Sequence, residues 1–137
     1  MKKLLSILAA GAVALSIGMP VHADVSPKTV EGATTIDTAK ARELFDQEVA
    51  FVDVRKDSDW DAGRVPGAIH IELKKIYSAD TLGAEVAKAE PLVLYCNGES
   101  CMRSSEASAK AVEWGWNNVY YYRDGFPAWK AAGNPVE

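Results

Sequence analysis

The sequence is poor in the residues that build metal centres, and it has no surplus of basic side chains. Among 137 residues there are two cysteines and two histidines, too few for the usual zinc ligand sets. Lysine and arginine number 15 against 19 acidic residues, a formal charge of -4. Such a surface has few cations to replace phosphate counterions, which argues against a nucleic-acid partner. Ten glycines, six prolines and the lack of low-complexity runs exclude fibrous and disordered classes, and the length suits one domain.

The N-terminus carries the pattern of a secretory leader. Two lysines precede an apolar stretch over residues 4–19, and Val21 and Ala23 supply the small residues of a cleavage site. The apolar stretch is short for a bilayer crossing, so the pattern favours a cleaved signal peptide over an uncleaved membrane anchor. We expect residues 1–23 to be removed and the remaining chain to reach a bacterial periplasm without membrane attachment.

The remaining chain alternates between apolar runs and helix-forming segments after an irregular N-terminal arm, residues 24–34. The predicted strands are residues 34–36, 50–54, 68–71, 91–95 and 119–122. The predicted helices are residues 38–47 with Thr38 as N-cap, 57–61, 73–89 broken at Gly83, 103–114 ending at Gly115, and 126–131. For residues 35–137 this alternation predicts a three-layer α/β/α domain with a mainly parallel central sheet.

The strongest candidate site follows the most apolar predicted strand. Cys96 comes directly after residues 91–95, and a loop leads from it into the helix that begins near Arg103. In open α/β sheets ligands bind beyond the carboxyl ends of the strands. Backbone N–H groups of such a loop, together with the helix dipole, lower a cysteine pKa from about 8.5 to between about 3.5 and 7.5. Arg103 adds a fork of donors for an oxyanion.

We therefore expect Cys96 to be the nucleophile, with Cys101 as the alternative, because Cys96 directly follows the strand and the N–H groups of the loop can converge on it. The substrate would be a small anion held by the loop. The expected substrate-binding residues are Asn97, Gly98, Ser100, Arg103 and Ser104.

Five short motifs, in this order, resemble a single-domain rhodanese. They are Asp53-Val54-Arg55, Trp60-x-x-Gly63-Arg64-Val65-Pro66-Gly67-Ala68, Tyr95-Cys96 with a loop ending in Arg103-Ser104, Gly115-x-x-Asn118-Val119-Tyr120 and Gly125-x-x-x-Trp129. The resemblance implies a rhodanese-like fold and a sulfurtransferase that needs no cofactor. Its cysteine would take sulfane sulfur from thiosulfate or a persulfide, become a persulfide itself, and pass the sulfur to cyanide or a thiol, including that of a periplasmic protein.

The loop departs from the family pattern in its length. Six residues separate Cys96 from Arg103, two more than is common in rhodaneses, and Cys101 lies in the enlarged part. In an oxidising compartment the two cysteines can form a disulfide or serve redox chemistry, and such a disulfide would be either structural or a reversible one that protects or resolves a catalytic persulfide. Glu99 places a negative charge where an anionic substrate would approach. Elsewhere, Arg64 stands where the family usually has histidine.

Two other functions fit the same residues. A non-enzymatic domain would carry sulfur or a disulfide on the Cys96 and Cys101 pair. A cysteine-dependent phosphatase or arsenate reductase also cradles an oxyanion between a cysteine and an arginine, although such loops commonly have one residue fewer than this one.

The remaining polar and aromatic residues near the motifs have structural interpretations. Ser104 and Ser105 suit helix capping better than nucleophilic attack, since no histidine lies near them in sequence. Asp53 and Arg55 suit a structural ion pair, and His70 suits a strand residue without catalytic work. The aromatic residues expected to pack in the core and at its edges are Trp114, Trp116, Tyr120, Tyr121, Tyr122 and Trp129.

Overall fold

The computed structural model describes Gly11 and residues 25–137. Apart from Gly11, the predicted signal peptide over residues 1–23 lies outside the described residues. Within the described part of the chain, no helix combines the length and the apolar character needed to cross a membrane.

In the described part of the chain, five short strands form one sheet in which all paired neighbours run parallel. They are β1 (Thr34–Thr35), β2 (Ala50–Asp53), β3 (Ile69–His70), β4 (Leu92–Tyr95) and β5 (Val119–Tyr122). Their order is β1-β5-β4-β2-β3, so β4 lies between β2 and β5. Tyr95 at the end of β4 pairs with Asp53 on one side and with Tyr122 on the other. The carboxyl ends of the three central strands therefore meet at one edge, in the parallel arrangement predicted from the apolar runs.

Helices cover both faces of this sheet. They are α1 (Thr38–Asp46), α2 (Asp57–Ala62), α3 (Ala79–Glu85), α4 (Arg103–Glu113) and α5 (Gly125–Ala131). Buried side chains of α3 and α4 pack on one face with Val52 and Leu94. Buried side chains of α1 and α5 pack on the other face with Phe51 and Val93. Successive residues of a strand thus pack against helices on opposite faces of the sheet. The predicted three-layer α/β/α fold is confirmed.

The N-cap predicted for α1 is wrong by one residue. The carboxylate of Asp37 accepts a hydrogen bond from the N–H of Lys40 at 2.8 Å, so Asp37 is the cap. Thr38 is the first helical residue, and its hydroxyl lies 2.7 Å from the hydroxyl of Tyr122. A carboxylate suits the positive end of the helix dipole better than a neutral hydroxyl does.

The predicted helix over residues 73–89, with a break at Gly83, is also wrong. Helix α3 begins only after Ser78, which forms a capping box with Thr81, and it continues through Gly83. Burial of Leu82, which is fully inaccessible to solvent, offsets the cost of one glycine in a helix, about 1 kcal/mol. A Cβ atom at Gly83 would make an ordinary van der Waals contact with the ring of Trp116, at 3.7 Å, so this position does not require glycine. Tertiary packing, rather than local propensity, therefore sets the limits of this helix.

Helix α4 begins at Arg103 and ends just before Gly115, as the sequence predicted. Gly115 has a φ of +105°, and its N–H and that of Trp116 bond to the carbonyls of Val112 and Ala111 in a Schellman arrangement. At the other end the N-cap position is Met102, with no side-chain cap.

Candidate active-site loop

Ser104 and Ser105, predicted as capping residues, lie inside the first turn of α4 instead. They are 1% and 5% exposed, because this side of the turn faces the core. The Ser105 hydroxyl donates to the Met102 carbonyl at 2.9 Å. The Ser104 hydroxyl is buried and has no partner among the described residues. The capping prediction is therefore wrong, and Ser104, also predicted to bind substrate, is buried in the first turn of α4.

Cys96 lies at the base of the loop that connects β4 to α4. The residue is 1% exposed, and its carbonyl accepts a hydrogen bond from the N–H of Phe126 at 2.9 Å. The loop and the start of α5 approach closely at Gly125, which has a φ of +66°. A Cβ atom there would lie 2.7 Å from the amide nitrogen of Gly98. Only glycine fits this contact without a shift of the loop.

The two cysteines form a disulfide in this structure. Cys96 and Cys101 are bonded with their Cα atoms 6.3 Å apart, inside the usual range of about 4.4 to 6.8 Å. This is the pairing that the sequence allowed. In the oxidised form the Cys96 sulfur is not a free nucleophile, so any chemistry at Cys96 begins from the reduced pair.

The N-terminal arm and the end of β5 hold the loop from outside. The carbonyl of Glu99 accepts hydrogen bonds from the N–H of Ser26 at 2.7 Å and from its hydroxyl at 2.8 Å. Arg123 lies 3.1 Å from the Glu99 carboxylate and also donates to the Ser26 carbonyl at 2.9 Å. The segment read from the sequence as an irregular arm is thus part of the site, and the charge of Glu99 is balanced by a cation.

Arg103 is bound to a carboxylate of its own chain. Its guanidinium forms an ion pair with Glu72 and donates to the carbonyl of Val54 at 3.2 Å. Burial by itself would raise the pKa of Glu72, but the hydrogen bond and the charge of Arg103 lower the pKa below its ordinary value of 4.5. The substrate oxyanion predicted for Arg103 is not its partner in this structure, because the carboxylate of Glu72 takes its guanidinium.

A buried polar cluster lies directly under the loop. Asp53, fully inaccessible, accepts hydrogen bonds from Arg55 Nη2 and from the Tyr95 hydroxyl, both at 2.7 Å. Burial raises the pKa of Tyr95, and the Asp53 charge raises it further, so the phenol remains a donor. The predicted ion pair of Asp53 and Arg55 is confirmed. Arg55 also donates to Asn97 Oδ1 at 3.2 Å, and Asn97 Nδ2 donates to Asp59 at 2.9 Å, so the cluster orients the first loop residue.

Several backbone donors of the loop remain without an intramolecular acceptor. Within the described residues, no acceptor bonds the N–H groups of Asn97, Gly98, Glu99 or Ser100. The N–H of Cys101 is used, since it donates to the Gly98 carbonyl at 3.0 Å. The loop therefore offers neutral backbone N–H groups to a ligand. The arginine side chains around the loop are instead paired with carboxylates.

Other residues singled out in the sequence have packing roles. His70 in β3 lies with Nε2 2.8 Å from the Arg55 carbonyl and stacks on Trp60, with ring centroids 4.7 Å apart. Trp116 and Trp129 are 2% and 0% exposed. In the described chain, no group of three or more His, Cys, Asp or Glu residues is arranged to hold a metal ion.

Comparison with known families agrees with this arrangement of sheet, loop and cysteine. The family described as Rhodanese-like domain matches residues 37–132. The chain belongs to the rhodanese-like family. The thiosulfate sulfurtransferase GlpE of Pseudoalteromonas translucida is 31% identical over 100 residues, which cover 71% of this chain and 89% of that protein. The human single-domain sulfurtransferase TSTD1 superposes with a TM-score of 0.62 at 21% identity, covering 72% of this rhodanese-like chain and 96% of that chain.

A longer relative shares the same domain. The HTH-type transcriptional regulator Rv0324 of Mycobacterium tuberculosis (strain ATCC 25618 / H37Rv) is 35% identical over 115 residues. The match covers 84% of this rhodanese-like chain but 48% of the regulator, so the chain spans about half the length of that relative. Together the domain and the relatives support a sulfurtransferase family, and they confirm the resemblance seen in the motifs.

Proposed function

We propose that this protein is a sulfurtransferase that carries sulfane sulfur on Cys96 as a persulfide. The observation that carries the proposal is the position of Cys96, buried at the carboxyl end of the central strand β4 beneath a loop with unpaired N–H groups. Such surroundings favour a thiolate and accommodate negative charge on a terminal sulfur.

The proposed reaction is a double displacement that starts from the reduced cysteine pair. The Cys96 thiolate attacks the outer sulfur of thiosulfate, and the bond between the two sulfur atoms of the donor breaks. Sulfite leaves with the electron pair. An acceptor thiol or cyanide then attacks the outer sulfur of the persulfide, and the Cys96 thiolate is the leaving group. The residues of this chain supply both steps without a cofactor.

The charges around the loop favour a donor of low charge. Arg55, Arg103 and Arg123 are each paired with a carboxylate, so none of these three cations has its charge free for a dianion. A persulfide group depends less on such a charge than thiosulfate does, because it is neutral or singly charged whereas thiosulfate is a dianion. We therefore propose that kcat/KM is higher with a low-molecular-weight persulfide than with thiosulfate.

Intact mass of the reduced protein after exposure to thiosulfate tests the proposal. We expect the Cys101→Ser variant to gain one sulfur atom and the Cys96→Ser variant to gain none, with both variants folded as judged by thermal unfolding under reductant. Gain of sulfur by the Cys96→Ser variant alone would identify Cys101 as the nucleophile. No gain in either variant, with thiosulfate or with a persulfide donor, would refute a sulfurtransferase.

A sulfur or disulfide carrier without turnover is a second candidate, favoured by the disulfide between Cys96 and Cys101. Multiple turnovers of thiosulfate with cyanide as acceptor would exclude it. A single loading per protein molecule, with no further turnover, would establish it instead.

We further propose that residues 1–23 direct export to the periplasm. Expression of the full chain in a Gram-negative host, followed by fractionation and intact mass, tests this. We expect a periplasmic protein that begins at Asp24, whereas an uncleaved chain in the cytosol or membrane would contradict the proposal.

A further inference from the structure

We infer that Cys101 is a resolving cysteine, which makes this domain a dithiol-dependent reductase of sulfane sulfur. The inference rests on the proposed persulfide at Cys96. Its starting observation is the disulfide, which places the sulfur of Cys101 within bonding reach of the sulfur of Cys96 inside the native fold. The same reach lets Cys101 act on a persulfide formed at Cys96.

The resolving step balances without an outside oxidant. The Cys101 thiolate attacks Cys96 Sγ of the persulfide, and a bond forms between the two cysteine sulfurs. The bond from Cys96 Sγ to the outer sulfur breaks, and the outer sulfur leaves with the electron pair. It takes the proton that Cys101 released and departs as hydrosulfide. The two electrons come from the cysteine pair, which ends as the disulfide seen in the structure.

The loop conformation that brings the cysteines together has supports other than the disulfide. The Glu99 carbonyl is held by the N–H and the hydroxyl of Ser26, at 2.7 and 2.8 Å. The Glu99 carboxylate pairs with Arg123 at 3.1 Å, and the N–H of Cys101 bonds to the Gly98 carbonyl at 3.0 Å. Because none of these contacts needs the disulfide, reduction leaves Cys101 close to its target. Such preorganisation makes attack by Cys101 faster than attack by an external thiol.

A purely structural disulfide explains the arrangement less well. The cysteines are five positions apart, and the stabilisation expected from restricting the unfolded chain falls as the closed loop becomes shorter. The bond also occupies the sulfur of Cys96, which stands at the carboxyl end of the central strand. A reversible bond keeps that sulfur available.

The exposure of the two cysteines determines which of their sulfur atoms a reductant attacks when the disulfide is reduced. Cys96 is 1% exposed, while Cys101 is only half-buried. A dithiol reductant therefore attacks the Cys101 sulfur, and Cys96 leaves as the thiolate that the loop stabilises. The second thiol of the reductant then frees Cys101. Each cycle turns one sulfane sulfur and one dithiol into hydrosulfide and one disulfide.

Sulfide release from the full mature protein tests the inference. Reduced protein is freed of reductant under anaerobic conditions and loaded with thiosulfate or, in a parallel sample, with inorganic polysulfide, which modifies thiols directly. We expect the wild-type protein to release one equivalent of sulfide without added thiol and to end with two hydrogen atoms fewer than the reduced protein. We expect the Cys101→Ser variant to keep the added sulfur, and to release sulfide only after a thiol is supplied.

The outcomes separate this inference from the proposed function. If the wild-type protein keeps its persulfide as long as the Cys101→Ser variant does, Cys101 is not a resolving residue, while the sulfurtransferase proposal stands. If neither donor adds sulfur to either protein, both fail. A Cys101→Ala variant repeats the measurement in case serine perturbs the loop. Retention of the added sulfur by the Cys96→Ser variant would reverse the two roles and overturn the inference as stated.

Discussion

The buried polar cluster and the loop above it are held in opposite ways. Asp53 and Arg55 pair inside the protein, with side chains 0% and 3% exposed. The loop is held from outside by Ser26 and Arg123, and the Glu99 side chain that receives Arg123 is 67% exposed. Buried ionic contacts are costly to break, whereas exposed ones contribute little. A buried ion pair therefore fixes the base of the site, while the loop that carries the cysteines is held by neutral hydrogen bonds from the buried Ser26 and by one ion pair whose carboxylate is exposed.

Removing the charge at the centre of the cluster is expected to have the largest effect. Asp53→Asn leaves the buried Arg55 guanidinium without its counterion, and we predict a loss of about 3 to 5 kcal/mol in the free energy of unfolding. Urea unfolding under reductant measures it. Asp57→Asn, at an exposed pair with Lys75, is the matched control and should change stability little. Equal losses in the two variants would remove the contrast between buried and exposed pairs.

The ion pair of Glu72 and Arg103 is intermediate between the buried cluster and the exposed pair of the loop, because Glu72 is buried and Arg103 is half-buried. We predict that Glu72→Gln costs about 1 to 3 kcal/mol at neutral pH. The folded protein lowers the pKa of Glu72, so its stabilising effect is present above the ordinary value of 4.5 and is lost as the pH falls through the folded pKa. The difference in stability between wild type and variant should therefore shrink below that value. A difference that stays constant with pH would exclude the ion pair as its source.

A substitution at Ser26 tests whether the N-terminal arm positions the loop that carries the cysteines. Ser26→Ala removes the hydroxyl that donates to the Glu99 carbonyl, and we predict a loss of about 0.5 to 1.5 kcal/mol. Sulfide release after polysulfide loading should slow more than the stability loss suggests, because Cys101 is then less confined. The exposed Ser58 of α2 supplies the matched control, Ser58→Ala. Unchanged release would show that the arm does not position the loop.

Glu99→Gln is expected to have the smallest effect. The exposed pair with Arg123 contributes less than about 1 kcal/mol to stability. Loss of the negative charge frees Arg123, so the rate of sulfur uptake from thiosulfate should rise slightly at low salt. The rise should disappear above about 0.1 M salt, where the screening length is about 10 Å. Stopped-flow measurements across ionic strength check this, and a rise that persists at high salt would point to a change in loop structure instead.

Much of the fold was predictable because strands buried on both faces leave continuous apolar runs. The run that becomes β4 and the glycine that ends α4 are examples, and both were located from residue type alone. Local pattern failed at Gly83, where burial of Leu82 carries the helix through a glycine. Local pattern also failed at Ser104 and Ser105, because both residues face the core and neither side chain caps the N-terminus of α4.

Sequence patterns are sufficient to predict the order of strands and helices, the place of Cys96 after the central strand, and the spacing that lets Cys101 bond to it. These features depend on residues close together along the chain. Which charges near the loop are free for a ligand depends instead on contacts between distant segments. Glu72 lies 31 residues from Arg103 in sequence, and Ser26 lies 73 residues from Glu99. Such pairs form because parallel strands with helical crossovers bring distant segments to one edge of the sheet, and no local pattern records that approach.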